Sequence, residues 1–359
     1  GNGGLLIAPV KPGTWQLFGR AGTLRVGPIP LDLSRDATGS LDFAPDASVT
    51  AALPAPRAGA ASGTLQLAGS SRMVVAGGLV GPLDSPRATD SVLAFDGSVW
   101  ETLPATMSQA VSHGAFAAHS GELWVLGGIR PDGSVTAAIQ RLDATTGTWT
   151  QLPQALVSPS YLASARFLSN SLYVTAGLER RADGSFHVNP WIYRMDLLTG
   201  LWTILGDQLG EPKLTTARYG SACATVDGKL FVLSGVTATG DLTRSVEIVD
   251  PSSGTSGAVR SAAPIPTPRF GAVAWVASGK IHVAGGVTAQ GKALDAVEVY
   301  DVASDRWEVR PPLKIGRGFA ARGVLGDRAF VAGGHDGTFS PGFDVSPLDA
   351  TEALRLEAP

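Results

Sequence analysis

Six short apolar runs, each closed by glycine, recur along the chain at a step of about 50 residues. They read RMVVAGG (Gly77, Gly78), ELWVLGG (Gly127, Gly128), SLYVTAG (Gly177), KLFVLSG (Gly235), KIHVAGG (Gly285, Gly286) and RAFVAGG (Gly333, Gly334). A second apolar run precedes each one, as in YGSACATVDG and FGAVAWVASG. A turn closing on glycine follows each, at Gly81, Gly133, Gly184, Gly240, Gly291 and Gly337. Two more strand-like runs complete the unit. The third often ends in Asp (Asp143, Asp196, Asp250, Asp301), and the fourth often carries Trp. Short apolar runs bounded by Gly, Asp and Pro are strand signals, so each unit reads as a four-stranded antiparallel meander.

An aromatic or apolar residue and a tryptophan recur across the third and fourth strands with six residues between them: Leu142/Trp149, Met195/Trp202 and Tyr300/Trp307. Phe95/Trp100 is a shortened form. Four apolar residues, a double glycine and two spaced aromatics resemble the kelch repeat, and the resemblance covers residues 57–359 in register. It implies an all-β fold, a kelch-type β-propeller of four-stranded antiparallel blades. Blades stack face to face, so both faces of every sheet are buried and the strands are apolar throughout. Glycine at the strand exit lets neighbouring backbones approach, and Trp149, Trp202 and Trp307 fill the space between blades.

Residues 1–56 fit the repeat poorly and are read as an N-terminal segment forming a degenerate blade ahead of six blades over 57–359. Ser40–Arg57 resembles the third and fourth strands of a unit, with Val49 in the tryptophan position, and Thr14–Gly27 resembles a first hairpin. Seven blades are expected, with six as the alternative. The last unit is expected to supply its own four strands, with no strand exchange closing the ring.

The chain is 44% hydrophobic and 16% charged, with a net charge of −3 and no basic block, which argues against a nucleic-acid partner. No apolar run approaches the roughly 20 residues of a membrane-spanning helix. Cys223 is the one cysteine, so no internal disulfide forms. The start GNGGLLIAPVKPG has no Met and is read as a processed end, with a bacterial lipid anchor upstream as an option. Low charge with abundant Gly and Ala resembles bacterial periplasmic or cell-surface kelch proteins, so an extracytoplasmic location is expected.

Arg57, Arg218, Arg269 and Arg317 recur at the start of the first strand, with Ser112 and Ser160 taking the place in two units. In the kelch family this strand lines the central channel. The resemblance therefore implies arginines at one mouth, where a guanidinium fork suits a carboxylate. The alternative turns each Arg into its own blade, toward strand-end carbonyls or the repeat glutamates Glu247 and Glu298. The loop Leu178–Pro190 lengthens the third unit and carries Arg180, Arg181 and His187, a second candidate contact. His282 shares its slot with Val74, Trp124, Tyr173, Phe231 and Phe330, so it reads as interior filling. No phosphate loop, nucleophile elbow or zinc motif is present, and no cofactor or metal is expected. Cys223 and five tyrosines do not match the copper-radical oxidases that share the kelch fold. The leading expectation is a non-catalytic scaffold holding a protein or anionic glycan at one mouth, as part of a cell-surface assembly. The enzyme alternative is a sugar-processing propeller resembling the sialic-acid mutarotases.

Overall fold

The computed structural model describes the strand backbones within residues 5–31. From 47 to 356 it describes everything except 82–84, 176, 206–212, 254–256 and 338–346. Two compact units result, residues 1–45 and 46–359. In the first, Thr14–Ala21 pairs antiparallel with Leu5–Lys11, Leu24–Arg25 and Ile29–Leu31.

The second unit is a β-propeller. Its described residues form six four-stranded antiparallel blades. The first strands, counted from the channel outward, are Ala61–Leu67, Ala115–His119, Ser164–Leu168, Ala222–Val226, Val273–Ala277 and Ala321–Leu325. Each pairs with a glycine-terminated second strand, and the meander then runs outward. Neighbouring first strands face one another in chain order, and the sixth meets the first. Six hydrophobic clusters fill the six junctions between blades. This is why the second and third strands are largely buried on both faces, while the outermost strands keep exposed positions.

Two rings of backbone hydrogen bonds close the circle. In one, the second glycine of each blade donates its N–H to the next blade, from Gly78 to Val111, Gly128 to Ser160, Gly177 to Arg218, Gly235 to Arg269, Gly286 to Arg317 and Gly334 to Arg57, at 2.8–2.9 Å. In the other, Gly59, His113, Leu162, Gly220, Gly271 and Phe319 bond head to tail round one mouth, at 2.7–2.9 Å. Both rings have six members, and each returns to its start.

The expected seventh blade is therefore corrected. Ala47–Val49 pairs with Thr351–Arg355 as the outermost strand of the sixth blade. The sixth unit supplies only three of its own strands, and the ring closes by an exchange that the sequence reading did not expect. The edge of Thr351–Arg355 carries unpaired backbone groups that this strand satisfies. Ala47 lies opposite Leu354, as Trp307 lies opposite Tyr300, so Ala47 rather than Val49 takes the tryptophan position. The third-strand match proposed within Ser40–Arg57 falls mainly on residues 40–46, outside the described residues.

The six-residue spacing has a simple geometric cause. Leu142 pairs with Trp149, Met195 with Trp202 and Tyr300 with Trp307 directly across the hairpin of the third and fourth strands. Each tryptophan packs against the cluster shared with the preceding blade. Gly285 and Gly286 show why the glycines come in pairs. A Cβ on Gly285 would lie 2.3 Å from the Arg317 carbonyl oxygen of the next blade, and Gly285 has φ +67°. One on Gly286 (φ +103°) would lie 3.1 Å from the Phe270 oxygen of its own blade. The first glycine admits the neighbour and the second admits the strand's own start.

Candidate functional site

The register fixes an arginine slot two residues before the mouth ring: Arg57, Val111, Ser160, Arg218, Arg269 and Arg317. In the second blade the slot holds Val111, so Ser112 sits one place further on. The slot's backbone carbonyl accepts the bond from the preceding blade, so the side chain turns into its own blade. Arg269 donates from Nη1 to the oxygens of Gly285 (2.9 Å) and Ala296 (3.0 Å), from Nε to Thr267 O (3.0 Å), and from Nη2 to Glu298 (2.6 Å). Arg317 repeats this with Gly333 O (2.8 Å), Ala350 O (2.8 Å) and Glu352 (2.5 Å). Arg218 pairs with Glu247 in the same way.

These three guanidinium groups are at most 1% exposed. Burial lowers their proton affinity, and the facing carboxylates raise it again. The expectation that Arg218, Arg269 and Arg317 look out of a mouth is corrected: they tie strand ends together inside the blade. Arg57 is also buried and bonds Gly77 O (2.7 Å), Ser91 O (3.0 Å) and Ser91 Oγ (2.8 Å). The place of the glutamate in its blade is taken by Leu93, opposite Val75, as Glu247 is opposite Val232. With no carboxylate to offset burial, the pKa of Arg57 falls to about 10, and its Nε has no partner. Glu352 is a repeat glutamate that sequence reading missed. The ATEALR stretch places it where SVEIVD and AVEVYD place Glu247 and Glu298.

The mouth ring is covered by aromatic side chains. His113 and Phe319 meet edge to face (centroids 5.1 Å), and Phe319 also contacts Phe270 (5.5 Å) and stacks on His335 (5.4 Å). Neither ring nitrogen of buried His335 has a hydrogen-bond partner. Burial pushes both histidines down to about 4, His335 adding to the effect on His113, so they are neutral near pH 7. The ring and the first strands line a channel cavity of about 100 Å³ whose wall includes Cys223, Arg166 and Arg322. Burial pushes the Cys223 thiol up to about 11, so it carries no thiolate at neutral pH. His282 lies away from this mouth, half-buried and stacked on Trp275 at 5.3 Å. Among the described residues no three of His, Cys, Asp and Glu converge as metal ligands.

The third blade carries a protruding hairpin, Leu178–Arg180 paired with Phe186–Val188. It grows from the mouth: Leu178 pairs with Tyr161, and the next residue, Leu162, belongs to the ring. Buried Asn189 clamps its base. The Asn189 amide donates to Glu179 and to the Tyr193 hydroxyl (2.7 Å), and its oxygen accepts the Trp191 N–H (2.7 Å). Phe186 (50% exposed) and Trp191 (37%) stand in solvent. Phe186 meets Tyr161 edge to face (5.6 Å), and Lys213 lies over Trp191 (5.5 Å). Arg180 and Arg181 are exposed and have no ion pair among the described residues, while His187 is half-buried opposite Glu179. Of the residues expected at a partner surface, the structure therefore leaves Arg180, Arg181 and His187 together and removes the four slot arginines.

Glycine-paired strands, cross-hairpin aromatics and the closed ring of blades define a kelch-type propeller. A family model for the Kelch motif matches residues 217–255 and 268–314, two of the six units. Those two units carry the Kelch motif. The chain is 29% identical over 206 residues to mouse Kelch-like protein 35, covering 55% of this chain and 32% of that protein. It is 27% identical over 182 residues to alpha-scruin of Limulus polyphemus, covering 49% and 19%. It is 26% identical over 272 residues to Kelch-like protein terF of Aspergillus terreus, covering 71% and 57%. The chain spans less than two thirds of the length of each of these relatives.

Proposed function

We propose that this propeller is a non-catalytic protein-binding scaffold, and that the third-blade hairpin is its contact surface for an acidic polypeptide. One observation carries the reading: a hairpin clamped at its base holds exposed Phe186 opposite Arg180, with Arg180 and Arg181 free of ion pairs among the described residues, and Trp191 stands exposed just past it. Aromatic residues and arginine are the types that dominate binding energy at protein interfaces, and a rigid platform lowers the entropy cost of using them. The unpaired guanidinium groups suit carboxylates on the partner.

The test is affinity capture from the native source, comparing wild type with a triple variant, Arg180→Glu, Arg181→Glu and Phe186→Ala. The variant is expected to lose a specific partner by roughly thirtyfold or more, at an unchanged melting temperature, because these side chains are exposed. An identical set of captured proteins in both samples refutes the reading. An extracytoplasmic location belongs to the same proposal and rests on the low-charge composition. Fractionation of the native cells tests it.

A further inference from the structure

Arg166 and Arg322 lie in the wall of the channel, on the first strands of the third and sixth blades. Arg166 donates from Nη1 to the oxygens of Ala165 (2.7 Å) and Phe116 (3.4 Å), and from Nη2 to Cys223 O. The Arg322 guanidinium lies 6.0 Å from the Phe116 ring centre and makes no hydrogen bond among the described residues. No carboxylate lines the cavity, and neither arginine has an ion pair among the described residues. The neighbouring polar groups are already engaged: Ser164 Oγ donates to Ser221 O, Ser221 Oγ donates to Ser234 O, and each ring N–H donates to the carbonyl of the preceding ring member.

Two positive charges thus line one water-accessible channel, both side chains half-buried, with no carboxylate in its wall. Both line the same cavity, and burial, then the charge of Arg166, push Arg322 down to about 9. Like charges on one wall repel each other, and an anion between them relieves that repulsion. The slot arginines show how this fold usually compensates buried arginine, with a glutamate from the same blade. Here a bound anion would do the same, and Arg322 lines the space where it would sit.

We propose that the channel binds one small tetrahedral oxyanion, of the size of phosphate or sulfate, between Arg166 and Arg322. The cavity of about 100 Å³ suits this class. By the measure in which one water needs roughly 10–15 Å³, it has room for about seven to ten waters, or for a five-atom oxyanion with several waters. An inserted polypeptide carboxylate fits less well, because the His113 and Phe319 side chains line and narrow the same cavity.

The test is thermal unfolding in Tris chloride, titrated with sodium phosphate, sodium sulfate or sodium acetate at matched ionic strength. Phosphate or sulfate is expected to raise the melting temperature saturably, by roughly 5 °C at about 100 times its dissociation constant. The rise is expected to be absent in Arg322→Met. General salting effects grow without saturation and persist in the variant. A rise that Arg322→Met retains, no saturable rise, or a rise with acetate alone overturns the proposal. Should Arg322→Met fail to fold, a selenate soak of wild-type crystals decides the matter. An anomalous peak between the two guanidinium groups supports the site, and an empty channel at saturating selenate refutes it.

Discussion

The buried arginine–glutamate pairs make a quantitative prediction, because the propeller contains its own control. In the fifth blade Glu298→Leu removes the one anionic partner that Arg269 has among the described residues, and the Arg269 side chain is 1% exposed. The bonds to Gly285, Ala296 and Thr267 remain, but Nη2 loses its acceptor and Thr267 Oγ1 loses its own bond to Glu298 (2.7 Å). Removing one partner of a buried ion pair costs about 3–5 kcal/mol, a fall in melting temperature of roughly 10 °C at about 2–4 °C per kcal/mol. The second blade fills the same two positions with Val111 and Gln140, and Gln140 binds the Gln109 backbone N–H (2.7 Å) and carbonyl (3.1 Å). The double variant Arg269→Val, Glu298→Gln copies that arrangement and has no buried charge. It is expected to recover at least half of the loss. Urea denaturation at constant slope measures both, since the slope reports surface exposed on unfolding and the midpoint reports stability. A single-variant loss below about 1 kcal/mol, or a double variant no better than the single one, refutes the claim that the cost is an orphaned charge.

Three further predictions follow from the same geometry. Gly285→Ala is expected to cost at least about 2 kcal/mol more than Gly279→Ala in urea denaturation. Both have similar φ (+67° and +71°), but only the Gly285 Cβ would strike the Arg317 oxygen, while nothing lies within 4 Å of the Gly279 Cβ. His335 is held neutral by burial, with its pKa lowered from 6.5 to about 4. The unfolded chain therefore takes up a proton at a higher pH than the folded one, and stability is fully present above pH 6.5 and falls as pH drops toward 4. That loss is on the order of 3 kcal/mol, and His335→Val, copying Val287, is expected to flatten the slope of stability between pH 6.5 and 4. Finally, a fragment of residues 50–359 lacks Ala47–Val49 and leaves the sixth blade with an open edge. It is expected to be about 2–3 kcal/mol less stable than a fragment of residues 46–359, and equal urea midpoints would refute the strand exchange.

The glycine repeat made the blades legible because it is local: each pair and each tryptophan lies within a few residues of its partner strand. What the sequence hid was non-local. Ala47–Val49 bonds to residues some three hundred positions away (Ala47 to Leu354), and its Trp position holds alanine. Nothing short-range marks it as the end of the sixth blade. The arginine slot was visible, yet its direction was not. A guanidinium at a strand start can leave the mouth or enter the blade, and the choice depends on a carboxylate 29 residues on at Glu247 and Glu298, or 35 at Glu352. Arg166 and Arg322 stand in different repeats at slots one residue apart, and only the closed ring places them in one channel.

This division has a physical consequence for where function can reside. A six-membered ring of like blades satisfies its polar groups internally: slot carbonyls accept glycine N–H groups, slot guanidinium groups take strand-end carbonyls, and mouth-ring amides take one another. Groups so engaged are poor at recognition, because a ligand would have to break a buried bond to use them. Binding capacity is left where a blade departs from the repeat. The third blade departs most. It has Ser160 in place of the slot arginine and Tyr193 in place of the glutamate, and its elongated hairpin brings Arg180, Arg181 and Phe186 into solvent. Arg166 belongs to the same blade, so the hairpin and the channel arginines sit on one departure from the repeat. Replacing Ser160 by arginine and Tyr193 by glutamate would restore the common pattern. The hydroxyl that Asn189 contacts at the hairpin base would be lost with Tyr193, so the restored blade is expected to gain a buried pair and lose the clamp that presents the contact surface.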